Sequence, residues 1–304
     1  MSKINDSLFD RLEGAYAPNT LRAYRSDWAH FLDFCESEGL TPLPASPETM
    51  EAFIAFEAQH AVATVERRLY SVRKAHELLG LGNPCAEVGV GLALRRVRRL
   101  KPNRPGQALG LRRDMLERMI EAQPYTLQGI RNRALLSIGF DFLTRRSELA
   151  SLRARDIELQ PDGTVRGLIR RSKADQMGYG RSVYGSVRSG ELLAAWLKAR
   201  DVDTPWLFCP VRHGYAYNRP LCTSQVKNII KAAARAAGIE GDGSGEVSGH
   251  SLRVGAAQEL MARGADISTI MRAGGWKTVE VVARYVQKTE ANVWAGAELF
   301  DKPS

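Results

Sequence analysis

The sequence predicts a mainly α fold in two domains. A helical N-terminal domain covers residues 1–104, and a mixed, mostly α C-terminal domain with a small antiparallel β-sheet covers residues 105–304. Apolar side chains recur at helical spacing through most of the chain. Asp162-Gly163 interrupts this pattern with a hairpin signal between two runs that suit β-strands. Lys101-Pro-Asn-Arg-Pro-Gly-Gln107 contains two prolines and a glycine, so it cannot continue a helix and predicts a basic interdomain linker near residues 101–107.

The first two helices of the N-terminal domain are predicted from periodicity and from a helix-start signal. Apolar side chains at helical spacing run from Leu21 to Cys35, and Gly39 ends this helix. Ser46 offers a capping hydroxyl and Pro47 suits the first helical position. A second helix is therefore expected to begin at this point and to continue through Phe56.

The third and fourth predicted helices are basic. One begins near residue 64 and the other covers roughly residues 90–100. A basic helix that runs into a basic linker would suit a chain that crosses a DNA backbone, whereas the alternative is a solvated charged face. The candidate DNA contacts in this region are Arg67, Arg68, Arg73, Lys74, Arg95, Arg96, Arg98, Arg99 and Lys101.

The C-terminal domain is predicted to place a small sheet among helices. The strands are expected over residues 157–159, 165–169 and 181–184. The helices are expected over residues 112–122, 127–142, 191–199, 223–237, 251–263, 267–273, 279–286 and 291–299. The first two strands flank Asp162-Gly163, and we therefore expect them to form a β-hairpin.

Composition narrows the function classes. The net charge of +9 favours a polyanionic partner, nucleic acid first. The apolar stretches are too short to span a bilayer and the first residues lack the apolar block of a signal peptide, so we expect a cytoplasmic protein without a membrane partner. The four cysteines form no CxxC pair, and neither the histidines nor the glycines match a metal or nucleotide motif. No cofactor and no metal are therefore expected.

Chemically useful side chains cluster in the C-terminal domain. His250 and Arg253 are three residues apart, so one helical face would present an imidazole and a guanidinium to one anion. Several of these side chains also have ordinary structural interpretations. Arg145 and Glu148 could form an i,i+3 ion pair, His250 could be a structural histidine, and Trp276 and Tyr285 could be core residues. Taken together and in this order, the candidates all suit one phosphate: Arg145, Glu148, Lys173, His250, Arg253, Trp276 and Tyr285.

This ordered set resembles the signature of the tyrosine recombinase (phage integrase) family, and the resemblance covers nearly the whole chain. The family places its first arginine three residues before an acidic residue, so Glu148 selects Arg145 and leaves Arg146 as a neighbour or DNA contact. Trp276 stands where most members carry histidine. An indole N–H can donate one hydrogen bond but cannot shuttle a proton, which favours a positioning and charge-stabilising role.

The resemblance implies a core-binding domain followed by a catalytic domain, and a site-specific recombinase that needs neither metal nor ATP. Tyr285 would attack DNA to form a 3′-phosphotyrosine while Arg145 and Arg253 bind the phosphate. His250 and Trp276 would complete the set of groups around that phosphate. Glu148 would orient an arginine or His250, His250 is the candidate base, and Lys173 is the candidate acid. A homotetramer would exchange strands of double-stranded DNA through a Holliday junction, with residues 292–300 docked in a neighbouring subunit.

Three alternatives stay open at this point. A topoisomerase-like or hairpin-forming strand transferase could use the same residues without exchanging strands between two sites. An inactive DNA-binding accessory protein related to recombinases would retain the fold, although the complete residue set argues against it. A generic basic helical scaffold would leave the ordered motifs unexplained.

Overall fold

The computed structural model describes residues 7–101, 106–170, 179–201, 203–241 and 245–286. The chain divides into two compact units, residues 1–105 and residues 106–304. Most described residues are helical, and the strands are short and antiparallel. The predicted mainly α fold is confirmed.

The N-terminal unit is built from α-helices in its described part. They are α1 (Pro18–Ser37), α2 (Pro47–Glu57), α3 (Val62–Leu78) and α4 (Val88–Leu100). The start of α2 follows its sequence signal, because Pro47 is the first helical residue and Ser46 Oγ accepts the N–H of Thr49 at 3.2 Å. A 3₁₀ turn at Leu8–Leu12 was not predicted, since five residues are too few to show a period.

Aromatic residues and buried charges share the core of the N-terminal unit. Trp28, Phe31 and Phe53 are buried where α1 faces α2 and α3. The carboxylates of Asp27 and Glu57 are also buried, and basic side chains of α3 pair with them. Two of the candidate DNA contacts are thus paired with these carboxylates: Arg67, which is 44% exposed, lies 2.5 Å from Asp27, and the half-buried Arg68 pairs with Glu57.

The C-terminal unit places its helices around one long buried helix. The helices are α5 (Arg113–Glu121), α6 (Leu127–Asp141), α7 (Arg146–Ser151), α8 (Val187–Ala199), α9 (Thr223–Ala236), α10 (Ser251–Ala262), α11 (Ile267–Gly274) and α12 (Val279–Val286). Nearly every side chain of α6 from Ala134 to Phe140 is buried, because α5, α8 and α10 pack around it. The helix expected at residues 291–299 lies outside the described residues.

The sheet forms at the predicted positions. Strands β1 (Ile157–Leu159), β2 (Val165–Ile169) and β3 (Arg181–Gly185) pair antiparallel in that order. A second hairpin of β4 (Val211–Arg212) and β5 (Tyr215–Ala216) was not predicted, as its strands have only two residues each. Within the described ranges, no helix is both long and apolar enough to cross a membrane.

Candidate active site

The turn between α6 and α7 presents the first pair of candidates. Leu143 has a φ of 49°, a backbone conformation that residues other than glycine rarely adopt. Two residues later, Arg145 is the N-cap of α7. The backbone N–H of Arg145 donates to Glu148 Oε2 at 2.9 Å, and its Nη1 donates to Oε1 at 2.6 Å. The i,i+3 ion pair that the sequence allowed is therefore present, and its carboxylate is buried with 1% of the side chain exposed.

Arg181 at the start of β3 is a second cation on the same carboxylate. Its Nη2 donates to Glu148 Oε2 at 3.1 Å, and its Nη1 donates to the carbonyl oxygens of Phe142, at 3.3 Å, and of Ala273. Burial raises the pKa of Glu148, but the hydrogen bonds from Arg145 and the charges of both arginines outweigh it and hold that pKa below its ordinary value. Glu148 thus stays ionised and fixes both guanidinium groups.

Arg253, in the first turn of α10, is a fully buried cation with a spare donor. Its Nη1 donates to the carbonyl oxygen of Leu143, while its Nη2 is buried and has no hydrogen-bond partner among the described residues. Burial lowers the pKa of Arg253, and the charge of Arg145 lowers it further. Both effects would be relieved by an anion at Nη2.

Trp276 and Tyr285 complete the cluster on the side of α11 and α12. Gly275 ends α11 with a φ of 65°, the left-handed conformation that favours glycine, and the chain then turns so that Trp276 packs inward. The guanidinium carbon of Arg253 lies 3.9 Å from the centroid of the Trp276 ring. The Tyr285 ring lies 5.4 Å from the same indole, so the phenol belongs to the arginine cluster rather than to a remote core.

His250 lies at the surface of this cluster as the N-cap of α10. The residue is exposed, yet desolvation of its ring lowers the pKa, and the positive charges of Arg146, Arg253 and Arg145 lower it further. The imidazole is therefore neutral at neutral pH and can accept a proton.

With this geometry in place, comparisons identify the family. The model described as the phage integrase family matches residues 110–292. An integrase/recombinase XerD homolog of Selenomonas ruminantium is 31% identical over 290 residues, which cover 91% of this chain and 84% of the relative. The recombinase Cre of Escherichia phage P1 is 30% identical over 308 residues, which cover 94% and 89% respectively. The chain belongs to the phage integrase family of tyrosine recombinases.

A solved structure agrees with this assignment at the level of the fold. The Tn1549 transposon integrase in complex with circular intermediate DNA matches with a TM-score of 0.67 and 14% sequence identity, and the match covers 98% of each chain. The resemblance seen in the sequence is therefore confirmed, and the chain is a site-specific recombinase by family.

Most of the predicted site residues of this recombinase lie together, and one cannot be placed. Through hydrogen bonds, ring contacts or electrostatic coupling, the structure connects Arg145, Glu148, His250, Arg253, Trp276 and Tyr285. Lys173 lies outside the described residues. Within those residues, no group of three or more His, Cys, Asp or Glu side chains is arranged to hold a metal ion.

Arg181 belongs to the site but was not among the residues predicted from the sequence, although the strand pattern indicates a buried position for it. Side chains alternate between the two faces of a strand, so Arg181 shares a face with Val183, which is buried. An arginine on a buried face needs acceptors, and three lie within reach of this one.

Proposed function

We propose that this recombinase cleaves and rejoins double-stranded DNA at a specific site through a 3′-phosphotyrosyl bond to Tyr285, with neither metal nor ATP. The observation that carries the proposal is the buried Nη2 of Arg253, which has no hydrogen-bond partner in the described part of the chain and lies beside Arg145, Trp276 and Tyr285. A buried donor left without a partner costs about 1–3 kcal/mol. A phosphate oxygen would satisfy this donor and would lie next to the phenol.

The arginines supply the electrostatic part of the mechanism. Attack on a phosphodiester adds negative charge to its non-bridging oxygens, and preorganised cations that face this charge lower the barrier. Arg145 and Arg253 would clamp these oxygens, because a planar guanidinium matches them in pairs. Glu148 holds Arg145 in place, and the indole N–H of Trp276 would add one hydrogen bond.

Proton transfers complete the step. Tyr285 Oη would bond to phosphorus while its proton passes to His250, and the bond from phosphorus to the 5′-oxygen would break. Lys173 would protonate the departing 5′-oxygen, which leaves a 3′-phosphotyrosine and a free 5′-hydroxyl. The ester keeps the bond energy, so a 5′-hydroxyl from a partner strand can reverse the step without ATP.

The proposed partner is double-stranded DNA with a specific recombination site, bound by a homotetramer. The Tn1549 integrase is described in complex with DNA, which supports DNA as the partner here. Arg95, Arg96 and Arg99 are exposed on α4 and make no ion pair with a described residue, so they are the best N-terminal contacts for DNA phosphates. Strand exchange would pass through a Holliday junction in this tetramer, which would form on nucleoid DNA in the cytoplasm.

A covalent trapping experiment tests the nucleophile. DNA flanking the gene would be searched for an inverted repeat around a short asymmetric spacer, and a nicked duplex of that site would serve as suicide substrate. The wild-type protein should become linked to the DNA, and Tyr285→Phe should not. Tyr184→Phe, which changes a tyrosine that is 66% exposed on β3, is the matched control and should react normally. An adduct with Tyr285→Phe would show that another residue attacks.

A second experiment tests Lys173 as the acid. Lys173→Ala should bind the duplex normally but cleave it slowly. A substrate with sulfur at the 5′-bridging position has a leaving group that needs no acid, so it should restore cleavage. Normal cleavage of the ordinary substrate by Lys173→Ala would reject this role.

A separate outcome bears on the alternative function. Relaxation of supercoiled DNA by the wild-type protein without site preference would indicate a topoisomerase-like activity.

A further inference from the structure

The backbone carbonyl of Tyr285 accepts hydrogen bonds from two side-chain amides that lie in different parts of the C-terminal unit. Gln107 Nε2 donates to this oxygen at 2.9 Å, and Gln258 Nε2 donates to it at 3.1 Å. Tyr285 lies in the last described turn of α12, where backbone carbonyls lack partners within the described helix. The two amides thus hold the last described turn of the helix that bears the phenol.

Gln258 connects the phenol-bearing helix to the helix that carries Arg253. Both residues belong to α10 and stand five positions apart. The amide of Gln258 occupies the space beside Gly110, where an added Cβ atom would lie 1.9 Å from Gln258 Oε1. Since glycine at position 110 leaves room for this amide, Gln258 is fitted between the segment at Gly110 and the carbonyl of Tyr285.

Gln107 is held in register with the same helix by backbone hydrogen bonds that follow it. The N–H of Leu109 donates to the carbonyl of Glu246, and the N–H of Leu111 donates to the carbonyl of Ser251, each at 3.1 Å. These two acceptors lie on either side of His250 in the sequence. The segment that carries Gln107 is therefore anchored around His250 before its amide reaches the end of α12.

We infer that Gln107 and Gln258 are positioning residues that fix the backbone of Tyr285, so that its phenol stays beside Trp276 and Arg253. This inference rests on the proposed role of Tyr285. Both amides are neutral and donate to a backbone carbonyl, so the pair sets the alignment of the nucleophile and not the charge of the site. Loss of one neutral hydrogen bond should slow cleavage about fivefold to tenfold, and loss of both should slow it about 30-fold or more.

The experiment compares Gln107→Met, Gln258→Met and the double variant in the full chain. Each change keeps much of the length of the side chain and removes the N–H donors without adding a charge. Gln160→Met, in the hairpin between β1 and β2, makes the same replacement away from this carbonyl and is the matched control. Gly110→Ala is a second route to the same effect, because its methyl group would displace the Gln258 amide.

Two measurements are made on each variant. The first is the fluorine NMR signal of 3-fluorotyrosine at position 285 in DNA-free protein, assigned among the nine tyrosines by its loss in Tyr285→Phe. The second is the maximal single-turnover rate of covalent cleavage on the suicide duplex, with DNA affinity and the pH profile measured alongside. We expect the signal to shift or broaden and the rate to fall in the Gln107 and Gln258 variants, with affinity and pH profile unchanged.

The outcomes separate this inference from the proposed function. An unchanged fluorine signal in the double variant would overturn the positioning contact. A changed signal with an unchanged cleavage rate would overturn its role in the reaction. If the wild-type protein forms no covalent adduct, the proposed function fails, while the fluorine signal still decides whether the two amides hold Tyr285. A variant that no longer melts as the wild type does is replaced by Gly110→Ala, which leaves both glutamines in the chain.

Discussion

Replacement of Arg181 by methionine should destabilise the C-terminal unit more than replacement of an exposed arginine does. Arg181 donates to Glu148 Oε2 and to the carbonyl oxygens of Phe142 and Ala273. Its side chain is 13% exposed and that of Glu148 is 1% exposed, so water does not replace the lost bonds. Methionine keeps much of the side-chain bulk but removes one hydrogen-bond donor from each of two carbonyl oxygens and from one buried carboxylate oxygen.

The size of the effect follows from these contacts. Removal of one member of a buried ion pair costs about 3–5 kcal/mol, because the other charge is left without compensation. Glu148 keeps both hydrogen bonds from Arg145, which places the expected loss near the lower end of that range. For a domain of this size, about 3 kcal/mol corresponds to a fall of about 6–12 °C in Tm.

Calorimetry of the full chain is the appropriate assay, since the two units can unfold in separate transitions. The matched control is Arg166→Met on the adjacent strand β2, where the arginine is 55% exposed and lies 3.9 Å from Glu158, itself 64% exposed. Such a surface pair contributes about 0–1 kcal/mol. If Arg181→Met lowers the unfolding temperature of the C-terminal unit no more than Arg166→Met does, the buried contacts of Arg181 do not stabilise that unit.

Three further predictions concern the same cluster. The cleavage rate at limiting DNA should rise with pH as His250 loses its proton, with an apparent pKa below the usual 6.5 of histidine. If the same rise with pH persists in His250→Ala, another group is responsible for it. Trp276→Phe should cleave DNA about tenfold more slowly than the wild type and Trp276→Ala about 100-fold more slowly, because only phenylalanine keeps a ring face on Arg253. Equal single-turnover rates for the two variants would show that this ring face contributes nothing. Gly275→Ala should lower the melting temperature more than Gly264→Ala, since both positions have a positive φ but only at Gly275 would the new methyl group meet another side chain.

Much of the fold could be predicted because its elements are long or carry a local signal. The helices show a repeated apolar spacing, and the start of α2 follows Ser46 and Pro47 within one residue. The sheet could be placed from one hairpin signal. Helix α7 was missed since it has only six residues, too few to establish a period. The two-residue strands β4 and β5 were missed for the same reason.

The site was predictable only in part, because side-chain identity does not reveal distant backbone acceptors. The ordered sequence motif predicted the candidate side chains of the site. No motif marks Arg181, whose acceptors include the carbonyl of Ala273, 92 positions along the chain. Arg68 shows the converse: a basic residue on a basic helix suggested DNA, but a buried carboxylate 11 positions away holds its guanidinium. Both cases depend on tertiary packing, which a periodic pattern does not encode.

The way this site compensates its buried cations also explains how it can remain attractive to a phosphate. Arg145, Arg181 and Arg253 face a single carboxylate, Glu148, among their partners in the described residues. The remaining acceptors are backbone carbonyls: those of Phe142 and Leu143 at the end of α6, and that of Ala273 in the last turn of α11. The C-terminal end of a helix carries partial negative charge, so these dipoles stabilise the guanidinium groups without neutralising them. A second carboxylate would have stabilised the arginines further but would have competed with a phosphate. Compensation by helix ends leaves a net positive charge, and Nη2 of Arg253, which has no partner among the described residues, is a buried donor that an incoming phosphate would satisfy.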